Sequence, residues 1–359
     1  MSSQATATPH LALADRHDCA GRHDDAINEL ALGTQAGDLT CMRQLAKRLL
    51  SGDRAPSLPA EGARFLQDAA TQGDAEAAAR MAALTVLGFY VTPSWNDALR
   101  WLVVAADRNW EPARTQLTAL AGMETPSSVG NPCGDYWGNL ASRIDFSGWQ
   151  EGPPARELSA DPQIRVFDSL LSRQVCDWIM ERASSRLTRA LVYDAVSKRD
   201  IVGETRTNRV ANFSLADVEI LDVLVQIRMS WASQIPMNHM EAPAVLHYAV
   251  GEESTNHYDF VDPAVPDYAD EIARNGQRIA TFLIYLNEDY DGGATDFPTL
   301  GVCHKGQRGQ GLLFINALPD LQPDLRMLHA GRSPTRGEKW IVSQFVRSRP
   351  LLTALPPRT

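Results

Sequence analysis

The chain is short of long apolar runs, of cysteine and of positive charge, and each shortage removes a class of function. No stretch approaches the roughly 20 consecutive apolar residues that a membrane-spanning helix needs, so no membrane partner is expected. The five cysteines, Cys19, Cys41, Cys133, Cys176 and Cys303, are odd in number and widely scattered, which argues against both a disulfide framework and a zinc cluster. Lysine and arginine total 34 against 44 aspartates and glutamates, a net charge of -10. That balance disfavours a partner recognised through its phosphate backbone, so no nucleic acid is expected. Residues 1–9 are small and polar, without the charged and then apolar order of an export signal. A cytoplasmic protein is the expectation. With 359 residues and 44% hydrophobic content, the chain can build two cores.

What the chain does have is a widely spaced set of chemically active residues. His257-Tyr258-Asp259 is followed by His329 and then by Lys339. Two imidazoles and one carboxylate can take one face of an iron(II) ion and leave its other positions open, the ligand set of non-haem oxygenases. A lysine beyond the second histidine can hold the far carboxylate of a dicarboxylic co-substrate. The pattern of histidine, any residue, then acid also occurs at His23/Asp25 and His239/Glu241. The first lies at the start of an Ala-rich helical pattern and the second in a loop after Pro236, so neither has a histidine partner in a suitable setting. Only His257/Asp259 follows a strand-like run and precedes a histidine set among further strands.

Five ordered blocks over roughly the last 190 residues extend this set, and together they resemble the prolyl 4-hydroxylase branch of the 2-oxoglutarate oxygenases. They are Pro162-Gln163-Ile164-Arg165-Val166-Phe167-Asp168; Arg206-Thr207-Asn208; Tyr248 with Gly251, His257 and Asp259; Arg278 to Asn287 with Gly292-Gly293 and Phe297-Pro298; and Leu312-Leu313-Phe314 with His329-Ala330-Gly331 and Gly337-Glu338-Lys339-Trp340. The resemblance implies that His257, Asp259 and His329 bind iron and that Lys339, Tyr248 and Thr281 bind 2-oxoglutarate. It also implies dioxygen as co-substrate, L-ascorbate as reductant, and succinate and carbon dioxide as co-products. No catalytic residue beyond the iron centre is implied. Read without the family, Tyr248 is equally a core tyrosine and Thr281 a strand former. The carboxylate at Asp259 argues for hydroxylation, because related halogenases place a small residue there. Arg206, Trp340 and Phe345 are substrate-pocket candidates. Phe345 stands where many relatives carry a second tryptophan, and Arg332-Ser333-Pro334-Thr335-Arg336 replaces the usual Cys-Pro-Val type of sequence. Both departures touch the pocket lining.

Short strands rich in branched and aromatic residues, at 279–286, 312–315 and 340–346, alternate with Gly/Pro/Asp turns. They predict an antiparallel jelly roll, the double-stranded β-helix, in which distant ligands meet at one open end.

The N-terminal third follows a different rule. A shift of 36 residues superposes Leu30, Leu66 and Leu102; Gly37, Gly73 and Asn109; and Leu45, Met81 and Leu117. Such a period marks stacked helix pairs, each burying its apolar face only against its neighbour. The segment resembles a short Sel1/tetratricopeptide-like solenoid. The expected organisation is a helical repeat domain over 1–122, a linker and packing segment over 123–160, an oxygenase domain over 161–350 and a tail over 351–359. Three functions follow as expectations: a hydroxylase of prolyl residues in a peptide or protein recruited by the repeats; a hydroxylase of a free amino acid or other metabolite, with architectural repeats; and a repeat-based binding protein with a vestigial oxygenase fold. The repeats would serve either substrate binding or homodimerisation and support.

Overall fold

The computed structural model describes residues 9–124, 135–194, 199–213 and 217–351. Residues 125–134 of the expected linker and packing segment, the chain start at 1–8 and most of the tail, at 352–359, lie outside the described residues. The chain divides into two compact units, Met1–Asp145 with Ser214–Val223, and Phe146–Phe213 with the residues from Leu224 onward.

The first unit is a helix-pair solenoid of the kind the 36-residue period predicts. One series of helices is His23–Gln35, Pro59–Gln72 and Trp95–Asp107, and the other is Leu39–Ser51, Ala75–Leu87 and Glu111–Leu120, so both repeat every 36 residues. Consecutive helices pack on one another, and Leu30, Leu66 and Leu102 are buried at the same place in each copy. The turn within each pair needs a residue in the left-handed region: Gly37, Gly73 and Asn109 have φ of 83°, 124° and 63°. Asp38 and Asp74 then cap the following helix by accepting from its first backbone N–H groups. In the third copy Trp110 has no capping side chain, and the Asn109 side chain instead accepts from the Arg114 guanidinium at 2.6 Å.

Ten residues from far along the sequence complete this unit. The buried Arg80 guanidinium pairs with the buried Glu219 carboxylate at 2.8 Å and donates to the carbonyl of Asp217 at 2.6 Å. The buried Gln116 amide donates to the other Glu219 oxygen at 2.9 Å. The catalytic domain expected over 161–350 is thus interrupted by a segment that clusters with the repeats. Its binding residues are charged and carry no periodic signature, which is why the sequence hides them.

The second unit is antiparallel throughout its main sheets. The larger sheet runs, in spatial order, Ala155–Ser159, Ile164–Phe167, Gly311–Ile315, Arg278–Tyr285, Lys339–Arg347, Ala244–Tyr248, Arg209–Asn212 and Thr188–Arg189. The smaller runs Val302–His304, Thr295–Phe297, His329–Gly331 and Ser254–His257. Side chains alternate across each strand. Leu246, Leu283, Leu312, Phe314 and Ile341 of the larger sheet meet Phe297 of the smaller one in a single buried cluster, the interior of the jelly roll. On the opposite face of the larger sheet, Gln226 of helix Ile220–Ser233 donates to Gln344 at 2.9 Å. The edge strand Ala155–Ser159 lies inside the stretch expected to be linker. Its first three residues are exposed, so it carries none of the hydrophobic alternation that marks a strand.

Candidate active site

The smaller sheet sets the two distant histidines opposite each other. His329 is the register partner of His257, and their ring centroids are 4.4 Å apart. Asp259, two residues beyond the strand, reaches back so that Oδ1 is 3.5 Å from His257 Nε2 and Oδ2 is 3.2 Å from His329 Nε2. All three ligand atoms fall within 4.8 Å of one another. The backbone fixes the imidazole tautomers: His257 Nδ1 faces the carbonyl of Thr255 at 2.7 Å and His329 Nδ1 faces that of Met327 at 3.0 Å. A carbonyl can only accept, so Nδ1 carries the proton and Nε2 turns its lone pair toward Asp259. With the imidazoles neutral and the carboxylate ionised, these atoms are all acceptors converging on one point, an arrangement that a cation reconciles. Burial alone would raise the Asp259 carboxyl, but the imidazoles of His329 and His257 hold it well below the usual carboxylate range. For His257, burial pulls downward and the Asp259 hydrogen bond and charge outweigh it, so its pKa is raised.

The larger sheet supplies a second feature. Lys339 is the register partner of Tyr248, and its side chain is fully buried with no hydrogen-bond partner on Nζ. Burial pushes the ammonium down to about 7. Nζ lies 5.0 Å from the ring centroid of Tyr248 and 5.8 Å from that of Tyr285. Nearby, the Tyr285 and Thr295 hydroxyls share a hydrogen bond of 2.8 Å. A buried ammonium without an anion is costly. Its presence in a pocket of about 460 Å³ that His257, Asp259 and His329 also line points to an anionic ligand from outside.

A profile of the 2OG-Fe(II) oxygenase superfamily matches residues 243–347. "Probable prolyl 4-hydroxylase 10" of Arabidopsis thaliana is 30% identical over 212 residues, which cover 53% of this chain and 70% of that protein. The chain belongs to the prolyl 4-hydroxylase-like 2OG-Fe(II) oxygenases. "Probable prolyl 4-hydroxylase 9" from the same plant is 29% identical over 215 residues, covering 55% of this chain and 72% of that one. Among solved structures, the 2OG complex of the viral collagen prolyl hydroxylase from Paramecium Bursaria Chlorella virus-1 is 25% identical, with a TM-score of 0.40 over 52% of this chain and 96% of that one.

The protein is therefore a 2-oxoglutarate-dependent dioxygenase, and its residues fit the iron and dicarboxylate that the family implies. The acceptor-only His257, Asp259 and His329 set suits the cation, and the unpaired Lys339 ammonium suits the carboxylate. Tyr248 lines the same pocket, and burial pushes its phenol up to about 12, so it stays a hydrogen-bond donor at neutral pH.

One expected co-substrate ligand, Thr281, and one expected pocket residue, Trp340, are placed differently. Thr281 donates to Asp259 Oδ2 at 2.7 Å, and its hydroxyl is thus committed to that carboxylate and not to a co-substrate. Trp340 sits on the outer face, its ring 4.5 Å from that of His247, because alternation along Lys339–Arg347 sends 339, 341, 343 and 345 inward and 340 outward. Arg206 and Phe345 do line the pocket. The Phe345 ring is covered by the Arg278 guanidinium at 3.9 Å, which Glu241 holds through two bonds of 2.8 and 3.0 Å. Glu241, the acid of the rejected His239/Glu241 pair, also binds Arg347 and so anchors two arginines. The arginines near the C-terminal end are mostly neutralised locally: Arg326 by Asp324, Arg332 by Asp296 and Arg336 by Asp291.

Sequence reasoning missed Thr295 and Tyr285. The signal was present in strand parity, since Thr295 shares a face with Phe297 and Tyr285 with Leu283, but a buried hydroxyl in an apolar strand reads as ordinary core.

Proposed function

We propose that the enzyme hydroxylates an unactivated C–H of a prolyl residue in a peptide or protein, using Fe(II), 2-oxoglutarate and dioxygen. The observation that carries the reading is the pairing, in one pocket, of an acceptor-only His-Asp-His set with a buried ammonium that lacks a counter-ion. In this reading His257, Asp259 and His329 hold the metal, and the backbone carbonyls on each Nδ1 keep both Nε2 atoms presented to it. Lys339 neutralises the distal carboxylate of the co-substrate, the pocket-lining Thr295 hydroxyl, held by Tyr285, offers it a further hydrogen bond, and Tyr248 donates its phenolic proton. Leu246, Leu283 and Ile341 form apolar walls that exclude water from the reacting groups. The bound iron, co-substrate and dioxygen supply the oxidising power, with succinate and carbon dioxide as co-products. In this reading the carboxylate at Asp259 would itself be a metal ligand where related halogenases carry a small residue, which favours hydroxylation. The prolyl target is taken from the relatives, which are named prolyl 4-hydroxylases.

The test is turnover of the full chain on proline-containing peptides of graded length and on free proline, followed by mass spectrometry. A gain of one oxygen on a peptidyl proline, with stoichiometric succinate, supports the reading. Turnover of the free amino acid alone would move the assignment to a metabolite hydroxylase. Deleting residues 1–122 is unsuitable for this purpose, because it strips the buried Glu219 of Arg80 and Gln116.

A further inference from the structure

Behind Asp259 lies a buried polar chain that the proposed chemistry has not used. Thr281 Oγ1 is 2.7 Å from Asp259 Oδ2, and Asn316 Nδ2 is 2.9 Å from Thr281 Oγ1. Thr281 and Asn316 are each 1% exposed, so water does not compete for these bonds. The direction of the chain follows from its chemistry. An ionised carboxylate only accepts, so the single Thr281 proton goes to Asp259, and the Thr281 oxygen must then accept from the Asn316 amide. Asn316 is itself anchored: its N–H donates to the carbonyl of Ile279 at 2.8 Å and its carbonyl accepts from Asp324 N–H at 3.0 Å.

We infer that Thr281 and Asn316 are positioning residues that lock the rotation of the Asp259 carboxylate and so preassemble the metal site. Asp259 lies outside regular structure, past the end of Ser254–His257, and its side chain needs an external reference to point at two histidines on separate strands. Thr281 supplies it from the interior strand Arg278–Tyr285, which is paired on both sides, with Gly311–Ile315 and with Lys339–Arg347. Partners of this kind commonly contribute 10- to 100-fold in metal affinity. The inference rests on the assignment of His257, Asp259 and His329 as metal ligands.

The experiment is anaerobic titration of the full chain with Co(II), read by its visible d–d spectrum, and with Fe(II) by competition, in wild type, His329→Ala, Thr281→Val, Thr281→Ser and Asn316→Leu. Thr281→Val keeps the shape and deletes the hydroxyl. It is expected to weaken metal affinity about 10- to 100-fold and to alter the d–d band. Thr281→Ser restores the donor and should bind like wild type, while Asn316→Leu should fall between. Circular dichroism confirms that each variant is folded. Unchanged affinity and spectrum in folded Thr281→Val would overturn the inference while leaving the ligand assignment intact. Failure of wild type itself to bind, or binding that survives His329→Ala, would instead overturn the ligand assignment and the inference with it.

Discussion

On the proposed role of Lys339, co-substrate binding is expected to take up a proton above neutral pH. Burial without a counter-ion lowers its ammonium from 10.5 to about 7, which corresponds to about 5 kcal/mol between the charged forms in water and in the empty pocket. Between pH 7 and 10.5 the unfolded chain carries this proton and the folded, empty protein does not. The group's contribution to stability therefore rises with pH through that window and is flat below 7. Binding reverses the balance, because a dicarboxylate favours the charged ammonium. At pH 8 the empty protein has lost most of the Lys339 proton, so about 0.9 proton is taken up per co-substrate bound, and apparent affinity falls about tenfold per pH unit above 7. Anaerobic calorimetry of 2-oxoglutarate binding to the Fe(II)-loaded enzyme at pH 8, in buffers of low and high ionisation enthalpy, reads that number directly. Lys339→Met should abolish the buffer dependence, weaken binding, and stabilise the empty protein by up to about 4 kcal/mol at pH 7. A dissociation constant that stays level from pH 6.5 to 8.5, with no buffer dependence, would refute the reasoning.

Three further perturbations have defined outcomes. Arg80→Met leaves Glu219 buried without its guanidinium and should cost about 3–5 kcal/mol in chemical denaturation. Gly293→Ala places a Cβ 2.8 Å from the Tyr290 ring at a φ of 66°. It should cost about 1–3 kcal/mol in backbone strain and raise the KM for 2-oxoglutarate, since the same Cβ would lie 3.5 Å from the Lys339 side chain. Phe345→Ala removes a pocket wall and uncovers Arg278, so it should raise the KM for the prime substrate while leaving 2-oxoglutarate affinity within about twofold, as measured by uncoupled decarboxylation.

The sequence was most informative where a period governed placement. The 36-residue shift announced the stacked helix pairs because each copy buries an apolar residue at the same two places, Leu30, Leu66 and Leu102 in one helix and Leu45, Met81 and Leu117 in the other. His257, Asp259 and His329 stood out because, of the three His-x-acid pairs, only His257/Asp259 follows a strand-like run and precedes a histidine among further strands, and the register that pairs His257 with His329 is the physical counterpart of that pattern. Trp340 was misjudged by proximity to Lys339, although adjacent strand residues must face opposite ways. Thr281 is on the inward face, but its height along the strand, level with Asp259 and away from Lys339, depends on how the two sheets are stacked, which no linear pattern encodes. The Arg80–Glu219 bond joins a repeat-helix arginine to a carboxylate 139 positions further along that belongs to no repeat, so only the folded chain reveals it.

That bond also has a consequence for biosynthesis. The carbonyl of Asp217 that Arg80 binds lies 137 residues further along the chain. At a synthesis rate of about 5–20 residues per second, the repeats wait roughly 7–27 s after Arg80 is made before their last segment exists. During that interval Arg80 keeps Glu76 of its own helix as an acidic partner but lacks Glu219 and the Asp217 carbonyl. The helical unit, though first to be translated, reaches its finished form only once the opening part of the oxygenase sequence, through Val223, has followed it.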